Sequence, residues 1–267
     1  VLGRVGILTA LSLGLCILNE QYLTEKGFAL PALDQLGHSV LGVAVSLLIV
    51  FRTQSSNGRF WEARTLWGSL VNNCRSLVRM GTVYAGPADE VARLVSAYVL
   101  AIKLNLRDES DFTPLRSFLP GILYDQLKTV RNPPSVVARA MSEWVQNRQK
   151  EGRLDPVTAM AMEQVIIELV AAQGGCEKIH ITPLPFVYAG LIKQLLLVYL
   201  GTLPLVLVAK MSFAAPLVVA VVAFAMLGIE EAGVEIEDPF GRLPNHLPLD
   251  QICDNIARDV KQIAEKK

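Results

Sequence analysis

Charge is scarce in this sequence. Only 19% of the 267 residues are Asp, Glu, Lys or Arg, while 52% are hydrophobic and the mean hydropathy is +0.39. That is too apolar for an ordinary soluble domain. The 25 basic and 25 acidic residues cancel, and no basic cluster is interleaved with aromatics, which argues against a nucleic-acid surface. The 4 cysteines, Cys16, Cys74, Cys176 and Cys253, are scattered without a CxxC pair. They read as free thiols of a reducing compartment rather than a disulfide framework. His180 follows Cys176 by one helical turn, but Pro183 and Pro185 come too soon after it for a rigid metal site. His38 and His246 stand far away in sequence, and all three histidines read as ordinary hydrogen-bonded side chains. HExxH, GxSxG, Walker and strand-linked GxGxxG patterns are missing, so neither an enzyme nor a cofactor is predicted. No alternating strand pattern of useful length occurs either, and the predicted class is all-α.

What the sequence does contain is apolar helix. The stretch Leu36–Gly68 begins uncharged and passes without proline into a basic, aromatic segment. Val43, Leu47 and Phe51 recur at i, i+4 and i+8, on one narrow helical face. Gly37, Ser39, Gly42, Ala44 and Ser46 supply the small residues that let membrane helices approach closely. Periodicity alone reads as a buried core helix. The apolar part, Gly37 to Phe51, is 15 residues, about 22 Å of helix against a hydrocarbon core of about 30 Å. A span therefore has to begin earlier, near Leu33, or continue into protein-lined space.

Other segments follow the same division. Val5–Leu18 is apolar and uncharged, with no small-residue cleavage site after it, and reads as a transmembrane helix rather than a signal sequence; because the first residue is not Met, residues upstream are expected to be missing. Asn19–Asp34 is an acidic, polar turn placed on the outer face, because Arg4, Arg52, Arg59 and Arg64 mark the other side. From Thr65 to about Ile181 the character is that of a soluble helical domain. Helical periodicity appears in Leu66–Met80, Asp89–Leu106, Ser135–Gln149 and Pro156–Ala172, with loops at Asp111–Pro120 and Asn132–Pro134. Phe186–Ala209 and Phe213–Ile229 return to the membrane around a turn at Lys210–Ser212. Glu230, Glu231, Glu235, Glu237 and Asp238 mark the exit, and Asp250–Lys267 is a charged amphipathic helix. The prediction is four membrane helices, paired at either end of the chain, with both termini cytoplasmic. Lys193 reads as snorkelling or pairing with Glu230 or Glu231, and the acidic run as a solvated or capping face. Trp61, Trp67, Arg59 and Arg64 read as interface anchors and packing residues.

Phe51–Gly68, FRTQSSNGRFWEARTLWG, resembles the bestrophin signature, in which an Arg-aromatic-aromatic group follows a pore-lining second transmembrane helix. Gly174–Tyr188 (GGCEKIHITPLPFVY) and Glu235–Leu249 (EIEDPFGRLPNHLPL) resemble further bestrophin segments in the same order. The resemblance covers essentially the whole chain and is nearest to the bacterial members. It implies a homopentameric ion channel in the bacterial inner membrane, with transmembrane helices at 1–56 and 185–230, a cytosolic helical domain at 57–184 and a cytosolic C-terminal segment at 231–267. Through the alignment, Val43, Leu47 and Phe51 correspond to the hydrophobic pore neck, which gates by dewetting rather than by binding. Val157 corresponds to the cytosolic aperture, and Asp155 beside it adds a ring of negative charge.

Eukaryotic bestrophins continue their NPFG-like motif with aspartates that help form a calcium clasp. Here EDPFG is followed by Arg242, so neither clasp nor calcium gating is expected, and no metal is assigned. Asp155 and Glu230–Asp238 bias the cytosolic side negative, which favours monovalent cations, sodium among them, over chloride. An anion channel of the same fold is the nearest alternative. A transporter, which inverted repeats or broken helices would support though neither is visible, and a membrane-anchored enzyme or helical scaffold are the more distant alternatives.

Overall fold

The computed structural model describes residues 1–23 and 33–265, and every regular element among them is helical. The chain divides into two compact units, one made of Val1–Arg59 and Pro183–Glu237, the other of Phe60–Thr182 and Asp238–Lys267.

The first unit contains α1 (Leu2–Leu18), the start of α2 (Gln35–Met80), α7 (Phe186–Met211) and α8 (Ala215–Glu235). Helix α1 packs on α8 and α7, and α7 packs on α8. Val45 and Ile49 of α2 enter a core made by Ile192, Leu196 and Leu200 of α7 with Val219, Ala223 and Leu227 of α8. Among the described residues, the segments long and apolar enough to cross a membrane are Leu2–Gln21, Gln35–Ala85 and Val187–Glu235, the last covering α7 and α8. In the 18-residue apolar stretch of each, only 11%, 17% and 28% of residues are buried within the chain. The apolar surface left over suits lipid or further copies, not water.

Helix α2 resolves the length problem at both ends. It begins at Gln35, where the Asp34 carboxylate accepts the Gly37 N–H at 2.7 Å, a side-chain cap for an otherwise orphaned donor. It then runs 46 residues without a break, about 69 Å at the helical rise. The reversal between α7 and α8 falls at Ser212–Ala214, two residues beyond the predicted start. Ser212 adopts φ 44° there. Its carbonyl accepts from Cys16 Sγ at 3.1 Å and its hydroxyl donates to Glu20 at 2.7 Å, which ties the turn to the end of α1. Helix α8 extends to Glu235, so Glu230, Glu231 and Glu235 lie on the helix rather than beyond it. Residues 24–32 of the predicted outer turn lie outside the described residues.

In the second unit α3 (Asp89–Leu106) is central, packed by α5 (Pro133–Lys150), α6 (Pro156–Ile181) and α9 (Leu249–Ala264). A short α4 (Gly121–Leu127) accompanies them. Trp67, Leu70, Cys74 and Leu77 of α2 share one buried cluster with Val95, Tyr98 and Ile102. The Tyr98 hydroxyl donates to Gln173 at 2.8 Å, and Gln173 donates on to Glu177 at 2.8 Å and Asn132 at 3.1 Å. A buried polar network so paired adds specificity without orphaned groups. All four thiols are free and buried, and burial pushes those of Cys176 and Cys253 up to about 12.

Helix α6 runs nine residues past its predicted end, through Gly174-Gly175 to Ile181. Gly175 is a contact residue. A Cβ there would lie 2.8 Å from Leu66 Cδ1, so glycine lets α6 and α2 approach. Termination is left to Pro183 and Pro185, neither of which can continue the helix.

Candidate functional site

Two faces of α2 have opposite fates in the first unit. Gly42, Val45, Ile49, Arg52 and Ser56 form the buried face. Val43, Leu47 and Phe51 lie on the other, 71%, 52% and 50% exposed. The three share one stripe, and Val40 and Val50 widen it. Ser39, Ser46 and Ser55 return their hydroxyls to carbonyls four residues earlier, at Gln35, Gly42 and Phe51. Such back-bonding ties the hydroxyl protons to the helix, and the stripe carries no charged side chain.

Immediately below Phe51 lies a residue whose role the sequence reading missed. Arg52 counts in the sequence only as one of the arginines marking the cytosolic side, yet its side chain is 5% exposed. Nη1 donates to Glu230 of α8 at 2.8 Å and Nη2 approaches Glu237 at 3.4 Å. Lys193 of α7 stands 3.9 Å from the same Glu230, the pairing expected of it. The cluster is thus two cations against two carboxylates. Glu230 and Glu237 are thus paired with Arg52, which corrects the reading of these two residues as a solvated or capping acidic face. Glu231, at the surface, meets Arg4 at 3.5 Å. The signal was present in outline: Arg52 and Glu230 each close an apolar run, with opposite signs.

The predicted aperture residues open α6 in the second unit. Asp155 caps the helix, its carboxylate accepting from the Val157 and Thr158 N–H groups at 2.9 and 3.0 Å and from the Thr158 hydroxyl at 2.5 Å. The Thr158 hydroxyl bond, joined by the backbone bonds, holds its carboxyl below the usual aspartate range, so it is ionised at neutral pH. Pro156 occupies the first helical position, where its missing N–H is harmless. Val157 follows, 77% exposed, its direction set by that capped first turn.

The EDPFG loop is organised by arginine. Phe240 is fully buried, and its carbonyl accepts from Arg107 Nε at 3.1 Å. Arg107 also reaches the Gly241 carbonyl at 3.4 Å and Asp250 at 2.9 Å. The hydrogen bond from Lys103, followed by those from Arg107, holds the Asp250 carboxyl down to about 2. Arg242 pairs with Glu109 at 2.6 Å. Both carbonyls of the loop thus face a guanidinium. Among the described residues no three His, Cys, Asp or Glu side chains are grouped to hold a metal ion.

Long apolar helices around a membrane-length core, with an uncharged exposed stripe on α2, define an all-helical membrane protein. The sequence matches the bacterial/fungal bestrophin protein family over residues 1–262, and the chain belongs to the bestrophin family. It is 36% identical over 236 residues to a voltage-dependent anion channel-forming protein of Nostoc sp., covering 85% of this chain and 77% of that one. A protein of the same description from Synechocystis sp. is 33% identical over 273 residues, covering 99% and 87%. The crystal structure of a bacterial bestrophin homologue from Klebsiella pneumoniae superposes with a TM-score of 0.91 at 26% identity, covering 100% of this chain and 99% of that chain.

Proposed function

We propose that this chain forms a homopentameric channel for monovalent ions, with Val43, Leu47 and Phe51 of each copy as a hydrophobic neck and Val157 and Asp155 as a second constriction. The observation that carries the reading is the exposed apolar stripe on α2, set on a helix whose opposite face is firmly packed. Around a symmetry axis such a stripe encloses a lumen walled mainly by apolar side chains, with no charged group to replace an ion's hydration. Passage then depends on how well the neck holds water.

Because the neck is neutral, the sign of the ion is decided elsewhere. Asp155, exposed and held ionised by its cap, supplies one carboxylate per copy. Five of them around an axis attract cations, and sodium is the favoured ion. A chloride channel is the second reading, favoured by the description of the Nostoc and Synechocystis relatives as anion channel-forming. Reversal potentials of reconstituted protein in a salt gradient separate the two. Failure of the wild-type protein to carry any passive, non-saturating ion flux in liposomes would reject the channel itself.

The aperture has its own expected result. Asp155→Asn lowers cation conductance at low salt with little change in pore size, and Val157→Ala admits larger cations. The charge effect fades at high salt, where screening shortens to about 3 Å at 1 M. Bi-ionic reversal potentials at both salt concentrations test the pair, and an unaltered Asp155→Asn channel at low salt removes the acidic ring from the account.

Calcium is expected to be without effect. With Arg107 on the Phe240 and Gly241 carbonyls and Arg242 next in sequence, bilayer currents are the same with micromolar calcium or a chelator on the cytosolic side. A reversible calcium requirement refutes this.

A further inference from the structure

Glu237 gathers the edges of the first unit. That unit stops at Arg59, resumes at Pro183 and stops again at Glu237, so the chain leaves it at three places. One oxygen of the Glu237 carboxylate accepts the Leu184 N–H at 3.2 Å, and its backbone carbonyl accepts Arg59 Nε at 3.2 Å. Its other carboxylate oxygen faces Arg52. The three chain ends thus meet on one residue, and that residue is joined to Arg52. From Arg52 the next partner is Glu230 on α8, and the next residue along α2 is Phe51, at the end of the apolar stripe.

The surroundings show that this contact is tight. Gly233 of α8 lies against Thr53, where a Cβ would come within 3.1 Å of the threonine hydroxyl. Arg52 Nε and the Ser56 hydroxyl, one turn apart on the same face, are buried without hydrogen-bond partners among the described residues. A guanidinium held in the interior with an N–H unspent is a poor device for stability, because burying it costs more than apolar packing would. A role in fixing geometry accounts for its presence better. Successive helical residues are about 100° apart, so clamping Arg52 to α8 fixes the rotation at which Phe51 is presented.

We infer that Arg52, bridging Glu230 and Glu237, is a positioning residue for the neck: it locks the rotation of α2 at Phe51 and links that rotation to the three chain ends collected by Glu237. The inference rests on the channel reading above. Breaking the bridge releases Phe51 from its set direction and alters the current through it.

The test is an epistasis measurement in planar bilayers. The first variant is Arg52→Met with Glu230→Leu, which removes the bridge while leaving no unpaired Glu230, and whose fold is checked by helix content and elution volume. The expected change in open probability is about fivefold or more, the lower end of coupling between linked sites. In a Phe51→Ala background the same pair of substitutions changes the current little, because the residue being positioned is gone. Arg52→Lys keeps the charge but loses the two-pronged fork, and falls between the wild type and the double variant. An equal effect in both backgrounds, or none in either, overturns the inference while wild-type currents leave the channel intact. Absence of wild-type current overturns both. If the double variant does not fold, Glu237→Gln is read in the same two backgrounds with the same criteria, since it weakens the bridge to Arg52 and leaves the Arg52–Glu230 pair.

Discussion

Arg52→Gln lowers the unfolding free energy of the protein in detergent by about 3–5 kcal/mol, the usual cost of stranding one member of a buried ion pair. Arg52 and Glu230 are 5% and 1% exposed, so little solvent is on hand to rehydrate the carboxylate left behind. Lys193 is a weak substitute. It stands at 3.9 Å and is itself half exposed, and an ammonium lacks the guanidinium's two-pronged fit to a carboxylate. Converting both partners to apolar residues of similar volume has a different outcome, near neutral or stabilising, because the desolvation penalty of both charges disappears. A surface pair serves as control: Lys128–Asp125, at 51% and 72% exposure, is lost without measurable change. Chemical denaturation followed by circular dichroism checks the series. A loss below about 1 kcal/mol for Arg52→Gln, as for exposed pairs, shows that water reaches the site.

That cluster marks where the sequence was hardest to read. Apolar runs located α1, α7 and α8 because a membrane-length helix has a compositional signature that needs no partner to be recognised. Val43, Leu47 and Phe51 were legible as one helical face, but periodicity alone read that face as buried core, whereas all three are exposed in the protomer. Arg52 entered the sequence reading only as one of the arginines that mark the cytosolic side, because hydropathy treats each residue alone, whereas its burial is decided by Glu230, 178 positions away. Helix α6 was cut short by the same kind of blindness. Glycine in isolation lowers helix propensity, but Gly175 is required by Leu66 on another helix. The charge of the acidic run was misjudged in turn, since the sequence counts Glu230 and Glu237 as exposed anions and the fold neutralises them. Local pattern carried the elements, and contacts between distant elements carried the electrostatics.

Truncating Val43, Leu47 and Phe51 together to alanine raises current by about tenfold or more, since each 1.4 kcal/mol taken from a barrier is a factor of ten. The residues are at least half exposed in the protomer. Shortening them therefore leaves no internal cavity, and the usual penalty for emptying a core does not arise. What changes is the lumen: a wider neck holds water more readily, and an ion crosses with more of its hydration intact. The opposite face of α2 provides the contrast. Ile49 is 4% exposed within the core of the first unit, and Ile49→Ala costs about 2–5 kcal/mol of stability without widening the pore. Single-channel recording and denaturation, run on both variants, give a crossed pattern in which one face controls current and the other controls stability. A folded triple variant with unchanged current moves the pore to another face of α2, with the wider stripe of Val40 and Val50 next in line.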